Sequence, residues 1–223
     1  MGVAVVTGAN RGIGLELCRQ LASRGDKVIA LCRRSSPELD ALGVQVEAGV
    51  DVTDEGSIVA LRRRLSDKHI DLLINNAGVG SRMTLDEIDA SAIKEMFAVN
   101  AVGPLLVSSG LLPLMGAGGK IAIITSRMGS IGDNDSGGWY SYRMSKAAVN
   151  AAGVSLARDL RSQGIAVAIL HPGTVQTDML ASIGATGMPP AESVQGLLAR
   201  LDELTLQTTG QLWHGVTGEL LPW

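Results

Sequence analysis

Aromatic side chains are scarce in this 223-residue chain, only 3% of it, so its core must be aliphatic. Cysteine is scarce too. Cys18 and Cys32 form no CxxC pair and have no histidine nearby in sequence, which argues against a disulfide framework or a zinc site. His69, His171 and His214 are scattered without ligand spacing, so no metal is expected. No apolar run approaches the ~20 residues of a membrane span. The start, MGVAVVTGANRGIG, lacks the leading charge and long apolar stretch of a signal peptide. A cytoplasmic protein with reduced thiols and no membrane partner is the expectation. Basic excess is missing as well: 19 Lys and Arg stand against 22 Asp and Glu, net −3. A nucleic-acid binder needs a basic face, so no nucleic-acid partner is expected. With 46% apolar and 18% charged residues, disorder is excluded.

Glycine, in contrast, is abundant, at 28 residues. That is well above an average of roughly 7% and points to tight turns and close backbone approaches. Short β-branched runs alternate with longer helical stretches. Strands are predicted at Val3–Val6, Lys27–Cys32, Val44–Val50, Ile70–Asn75, Lys120–Ser126, Ile165–Leu170 and Gly210–Gly215. Helices are predicted at Gly12–Arg24, Glu55–Leu65, two within Leu85–Gly116 with a break near Asn100 to Pro104, Tyr142–Gln163 capped by Gly164, and Glu192–Leu204. Strands apolar throughout, separated by helices, imply a parallel sheet covered on both faces. With no repeat or linker, one α/β domain over residues 1–223 follows: a doubly wound, seven-stranded parallel sheet. Gly129–Gly138 and Gly173–Pro190 read as loops, and both follow strands, so both should border the ligand site.

The run Thr7-Gly8-Ala9-Asn10-Arg11-Gly12-Ile13-Gly14 joins the first strand to the first helix. Its glycines permit a tight turn and let the backbone approach a pyrophosphate at a helix N-terminus. A P-loop is excluded, because no Gly-Lys-Ser/Thr follows. An NAD site would place an acidic residue at the end of the second strand. Here that end reads Cys32-Arg33-Arg34-Ser35, and Arg33 and Arg34 suit a 2′-phosphate, with Arg11 helping from the turn. NADP is therefore preferred over NAD. Of the two tyrosines, Tyr142 has Lys146 four residues on, which places both on one helix face. A nearby ammonium should lower the phenol's pKa toward the operating pH. Ser126 ends a strand at the ligand edge, where its hydroxyl can steady a carbonyl oxygen.

TGxxxGIG, Asn75-Asn76-Ala77-Gly78, Asn100, Ser126, Tyr142, Lys146 and Pro172-Gly173, in this order, resemble the short-chain dehydrogenase/reductase family nearly end to end. The run Gly137 to Arg143 and the ending Leu221-Pro222-Trp223 look like its C-factor and sniffer branch. The resemblance implies a Rossmann domain and hydride transfer between NADP(H) and a carbonyl or secondary alcohol. It implies Tyr142 as acid–base, Ser126 orienting the oxygen, Lys146 beside both tyrosine and nicotinamide ribose, and Asn100 organising a water-linked proton path. It places Asp51 and Val52 at the adenine, Asn76, Ala77 and Gly78 beside the cofactor, and Val175 and Thr177 at the carboxamide. It also implies pairing of the Ala-, Gly- and Ser-rich helices into a homodimer or homotetramer. Three departures stand out: a longer gap between Ser126 and Tyr142, a short lid from Thr174 to Pro190, and a small chain. The other readings are a nucleotide-bound signalling protein of the C-factor type and a methyltransferase, in which the Tyr–Lys pair has no role.

Overall fold

Alternation of aliphatic runs with amphipathic stretches resolves into one parallel sheet. The computed structural model describes residues 2–181 and 184–223. The strands are β1 (Val3–Thr7), β2 (Lys27–Cys32), β3 (Gln45–Ala48), β4 (Ile70–Asn75), β5 (Met115–Ile124), β6 (Ala166–His171) and β7 (Leu212–His214). They lie in the order β3-β2-β1-β4-β5-β6-β7, every neighbouring pair parallel. Successive side chains point to opposite faces. Ala4 and Val6 therefore pack on one side with Leu17 and Leu21 of α1 (Gly12–Ser23) and Leu197 and Leu201 of α8 (Pro190–Glu203). Val5 packs on the other with Ile58 and Leu61 of α3 (Glu55–Arg64), Val107 and Leu111 of α5 (Gly103–Leu111) and Val149 of α6 (Tyr140–Leu160). Burial on both faces is why the strands read as unbroken apolar runs.

The chain winds outward from β1 to β3 and then crosses back to β4. That reversal opens a crevice beyond the carboxyl ends of β1 and β4. Two short helices escaped the sequence reading. α2 (Pro37–Asp40) is capped by Ser36, whose hydroxyl accepts from Leu39 N at 3.2 Å. α7 (Asp178–Ala181) lies inside the expected loop at residues 173–190. β3 is shorter than expected, and β5 begins five residues earlier, its first pairing with β4 offset by a register shift. The glycines around Gly118 (φ +88) disguised that start as a turn. Gly164, at φ +74, ends the α6 run as expected.

The break expected near Asn100 is a π-helical turn, Ala98–Val102, between α4 (Ala90–Phe97) and α5. Read as one helix, residues 90–114 span 25 residues with a mean hydropathy of 1.6 in the most apolar window. By length and composition that run is able to cross a membrane, which corrects the sequence expectation. In this fold α4 packs on α6 and α5 on α3, with Met96, Ala101, Val107 and Leu111 buried.

Candidate active site

The glycine turn is folded so tightly that side chains have no room. A Cβ on Gly14 would lie 2.1 Å from the Gly8 carbonyl oxygen, and one on Gly8 would lie 2.8 Å from Ala77 Cα. Gly8 and Gly12 also adopt φ of +65 and +54. Neighbouring strands hold the turn in place. Thr7 Oγ1 accepts from the Asn76 and Ala77 amides, both at 2.9 Å, and Asn76 Nδ2 donates to Thr7 O at 2.9 Å. Asn10 is tied to the end of β2 through its carbonyl, which accepts from Ser36 Oγ at 2.8 Å. Ile13 packs down onto the core. What remains facing outward is bare backbone at the N-terminus of α1, the geometry a pyrophosphate needs.

From this turn a cleft of about 990 Å³ runs along the sheet edge. Arg33, Arg34, Asp51 and Val52 line one end; Gly78, Ser126, Tyr142, Lys146 and Gly173 line the other. The two arginines are exposed, without an ion-pair partner in the described residues. Asp51 Oδ1 accepts from the Thr53 amide (2.9 Å) and hydroxyl (2.7 Å). The amide bond first, then the hydroxyl, hold this carboxyl below its usual range. The cap of α3 is Asp54, not Asp51, which leaves Asp51 at the cleft wall. Arg11 departs from expectation. Its guanidinium is turned to Asp178 of α7, 2.8 Å away, rather than toward Arg33 and Arg34. Opposite charge one loop away decides its direction; Thr177, which abuts Gly12, brings that loop over the turn.

At the other end the four expected catalytic residues converge. The π-helical turn presents Asn100 inward, where it is buried. Its Oδ1 accepts from Val79 N at 2.9 Å, and its Nδ2 donates to Val79 O (2.8 Å) and Ser145 Oγ (3.1 Å). It thus fixes the loop that follows Gly78 against α6. Lys146 Nζ donates to Ile124 O at 3.0 Å and lies 5.8 Å from the centre of the Tyr142 ring. Burial pulls this lysine down to about 8. The Tyr142 phenol is pushed up from its ordinary value by burial, and the nearby Ser126 hydroxyl acts in the opposite direction. The expected lowering of Tyr142 by Lys146 is therefore not found. The ammonium spends a hydrogen bond on a backbone carbonyl and is itself desolvated. Ser126 Oγ accepts from Met128 N at 3.1 Å, which sets the turn that leaves β5.

Pro172 and Gly173 follow β6, and Ser193 Oγ donates to Pro172 O at 2.7 Å. Val175 is buried and bridges to Met188, while Thr177 Oγ1 accepts from Leu180 N at 3.4 Å. Sequence reading passed over Arg143. From the position after Tyr142 it donates to Met128 O (3.4 Å) and Ser136 Oγ (2.9 Å), tying the helix of the tyrosine to the loop of the serine. Only the Tyr-Arg adjacency hinted at that.

Residues 2–187 match the short chain dehydrogenase family. The chain is 41% identical, over the full length of both, to the 1-hydroxy-2-glutathionyl-2-methyl-3-butene dehydrogenase of Rhodococcus sp. (strain AD45). It is 45% identical to the C-signal of Myxococcus xanthus over 69% of this chain and 93% of that one. Among solved structures, the NADPH-bound carbonyl reductase from chicken fatty liver superposes with a TM-score of 0.89 at 31% identity, covering 100% of this chain and 99% of the other. The glycine turn, the sheet order and the convergence of Asn100, Ser126, Tyr142 and Lys146 thus meet in one chain, and it belongs to the short-chain dehydrogenase family of oxidoreductases.

Proposed function

We propose that this chain transfers a hydride between NADP(H) and a carbonyl or secondary alcohol. The observation that carries the reading is the Tyr142 hydroxyl, beside Ser126, at the deep end of a cleft whose far end holds Arg33 and Arg34. The glycine cradle fits a pyrophosphate, and the two arginines fit a 2′-phosphate. When bound, the nicotinamide supplies or accepts the hydride. Every other task falls to the chain. Ser126 Oγ donates to the substrate oxygen and steadies the charge that develops there. Tyr142 Oη gives its proton to that oxygen. Burial holds the phenol above its ordinary value, so the proton it gives is present at neutral pH. Lys146 is charged below about pH 8 and then offsets the tyrosinate left behind. Asn100, fixed at Val79 and Ser145, keeps the α4–α5 junction beside Lys146, where a water-linked path can return the proton.

The chicken enzyme's NADPH and the sniffer-type neighbours named as carbonyl reductases support this cofactor and substrate class. A second reading, a nucleotide-bound signalling protein, draws on the C-signal relative. A pure binder has no use for Ser126 and Tyr142 set side by side, so turnover decides between them. The test is a panel of ketones and aldehydes, scored by loss of NADPH absorbance. Reduction of at least one supports the enzyme; NADPH binding without reduction of any supports the binder. A cytoplasmic location and a homodimer or homotetramer belong to the same proposal. Exposed Val102 and Leu105 on the α5 side offer an apolar contact for a second copy. No nucleic-acid or membrane partner is proposed.

A further inference from the structure

Trp139, Tyr140 and Tyr142 account for three of the chain's six aromatic residues within four positions. Trp139 has φ +55 and ψ +35, and is the one described residue other than glycine with a positive φ. A bulky side chain disfavours this backbone, because Cβ crowds the following carbonyl. Gly137 and Gly138 precede it at φ +61 and +62, so the chain makes a left-handed turn in which a third glycine would be cheaper. Strain of this kind persists where a site requires it. The turn places the indole in the catalytic cleft, edge to face with Tyr142, centroids 6.2 Å apart at 65°. Nearby, Met179 Sδ and Tyr142 Cε2 both abut Gly80, at 2.8 and 3.3 Å from where its Cβ would stand. Met128, two residues past Ser126, lines the same end.

An indole, two thioethers and a bare glycine thus line the cleft together with the Tyr142 ring. The indole and the thioethers are polarisable and pack favourably against flat aromatic rings, and the glycine leaves room for one. We propose that Trp139 is a specificity-determining residue whose indole walls a slot for a planar, aromatic or conjugated substituent on the carbonyl carbon. This rests on the carbonyl-reduction reading and names the substrate class for it. A saturated ring of equal size is puckered and gains less from such a wall. Trp139 as a mere start signal for α6 makes no such distinction between substrates.

The experiment compares acetophenone with cyclohexyl methyl ketone, each with NADPH, in wild type, Trp139→Gly and Trp139→Phe. A melting temperature raised by NADPH certifies that each variant is folded. Wild type is expected to favour acetophenone by about tenfold in kcat/KM. Trp139→Gly should erase that preference through KM, and Trp139→Phe should keep most of it. Benzamide, flat but not reducible, should inhibit wild type and lose potency in Trp139→Gly alone. Equal loss on both ketones, or a wild type that favours the saturated ketone, overturns the slot and leaves carbonyl reduction standing. Reduction of neither ketone by a wild type that reduces other carbonyls of the panel also overturns the slot alone; reduction of no carbonyl in the panel overturns the carbonyl-reduction reading with it.

Discussion

The two ends of the cleft are built by different means. At the glycine-turn end, backbone meets backbone: Gly14 against Gly8, Gly8 against Ala77, and Thr7 holding two successive amides. At the catalytic end, side chains reach across long stretches of sequence. Asn100 bonds to Ser145, Lys146 to the Ile124 carbonyl, and Arg143 to Met128 and Ser136. Even the C-terminus takes part, with Gly132 N donating to Trp223 O at 2.7 Å. The first end is a rigid shape that one ligand class fits. The second is an assembly whose parts can be exchanged one at a time.

The largest effect expected from breaking this contrast is at Tyr142. Tyr142→Phe keeps the ring and loses only the hydroxyl. Carbonyl reduction should fall by ~10²–10⁴, the scale of a lost acid–base group, with NADPH binding retained. Steady-state rates beside a binding titration check this. Near-normal turnover would remove the hydroxyl from the chemistry, and loss of NADPH binding would show that the two ends are not separable.

His171 probes the catalytic end through pH. It is buried at the end of β6, its Nδ1 lacks a hydrogen-bond partner among the described residues, and its ring stands edge-on to His214 at 5.0 Å. Burial first, then the charge of His214, push it down to about 3. The unfolded chain takes up this proton near pH 6.5, and the folded chain does not. Stability from this residue is complete above pH 6.5 and drains away as pH falls toward 3, by several kcal/mol in all. Denaturant midpoints measured from pH 7 to pH 4 should decline in wild type and flatten in His171→Leu. Parallel slopes for the two proteins would contradict the assignment.

The same contrast explains what could be read in the sequence. Gly8, Gly12 and Gly14 were legible because close backbone approach admits no other residue. The seven-stranded parallel sheet followed from apolar runs spaced by helices. Ser126, Tyr142 and Lys146 were legible as residue types in order. Their ionisation was not, because burial depends on elements far away in sequence and outweighs the one-turn spacing of Tyr142 and Lys146. Arg11 was misdirected for a related reason: its partner, Asp178, lies 167 residues on. The early start of β5 was hidden because Gly116, Gly118 and Gly119 look like a turn; they fall in the register shift between the Ile70–Met115 and Leu72–Lys120 pairs.

A smaller effect is expected at the far end of the cleft. Replacing Arg33 and Arg34 together by Ser removes two donors to a 2′-phosphate. NADPH affinity should drop roughly 10- to 100-fold, with NADH affinity unchanged. Paired titrations of the two cofactors measure it. An equal loss for both would mean that the arginines serve the turn and not the phosphate.

The smallest effect lies where the two ends touch. Arg11 and Asp178 pair at 2.8 Å, but their side chains are 68% and 75% exposed, so solvent screens the attraction. Asp178→Asn should therefore change folding stability by less than ~0.5 kcal/mol. Its consequence for the cofactor has the opposite sign. The carboxylate sits beside the glycine turn and competes with an incoming phosphate for the Arg11 guanidinium. Removing it frees that cation and removes a repulsive charge, so NADPH should bind a few-fold tighter, most clearly at low salt where the field reaches farthest. A calorimetric titration at two ionic strengths reads both parts. Weaker binding in Asp178→Asn would mean that the pair acts as a clasp holding α7 over the cofactor, and that the catalytic end depends on the rigid end more closely than its separate construction suggests.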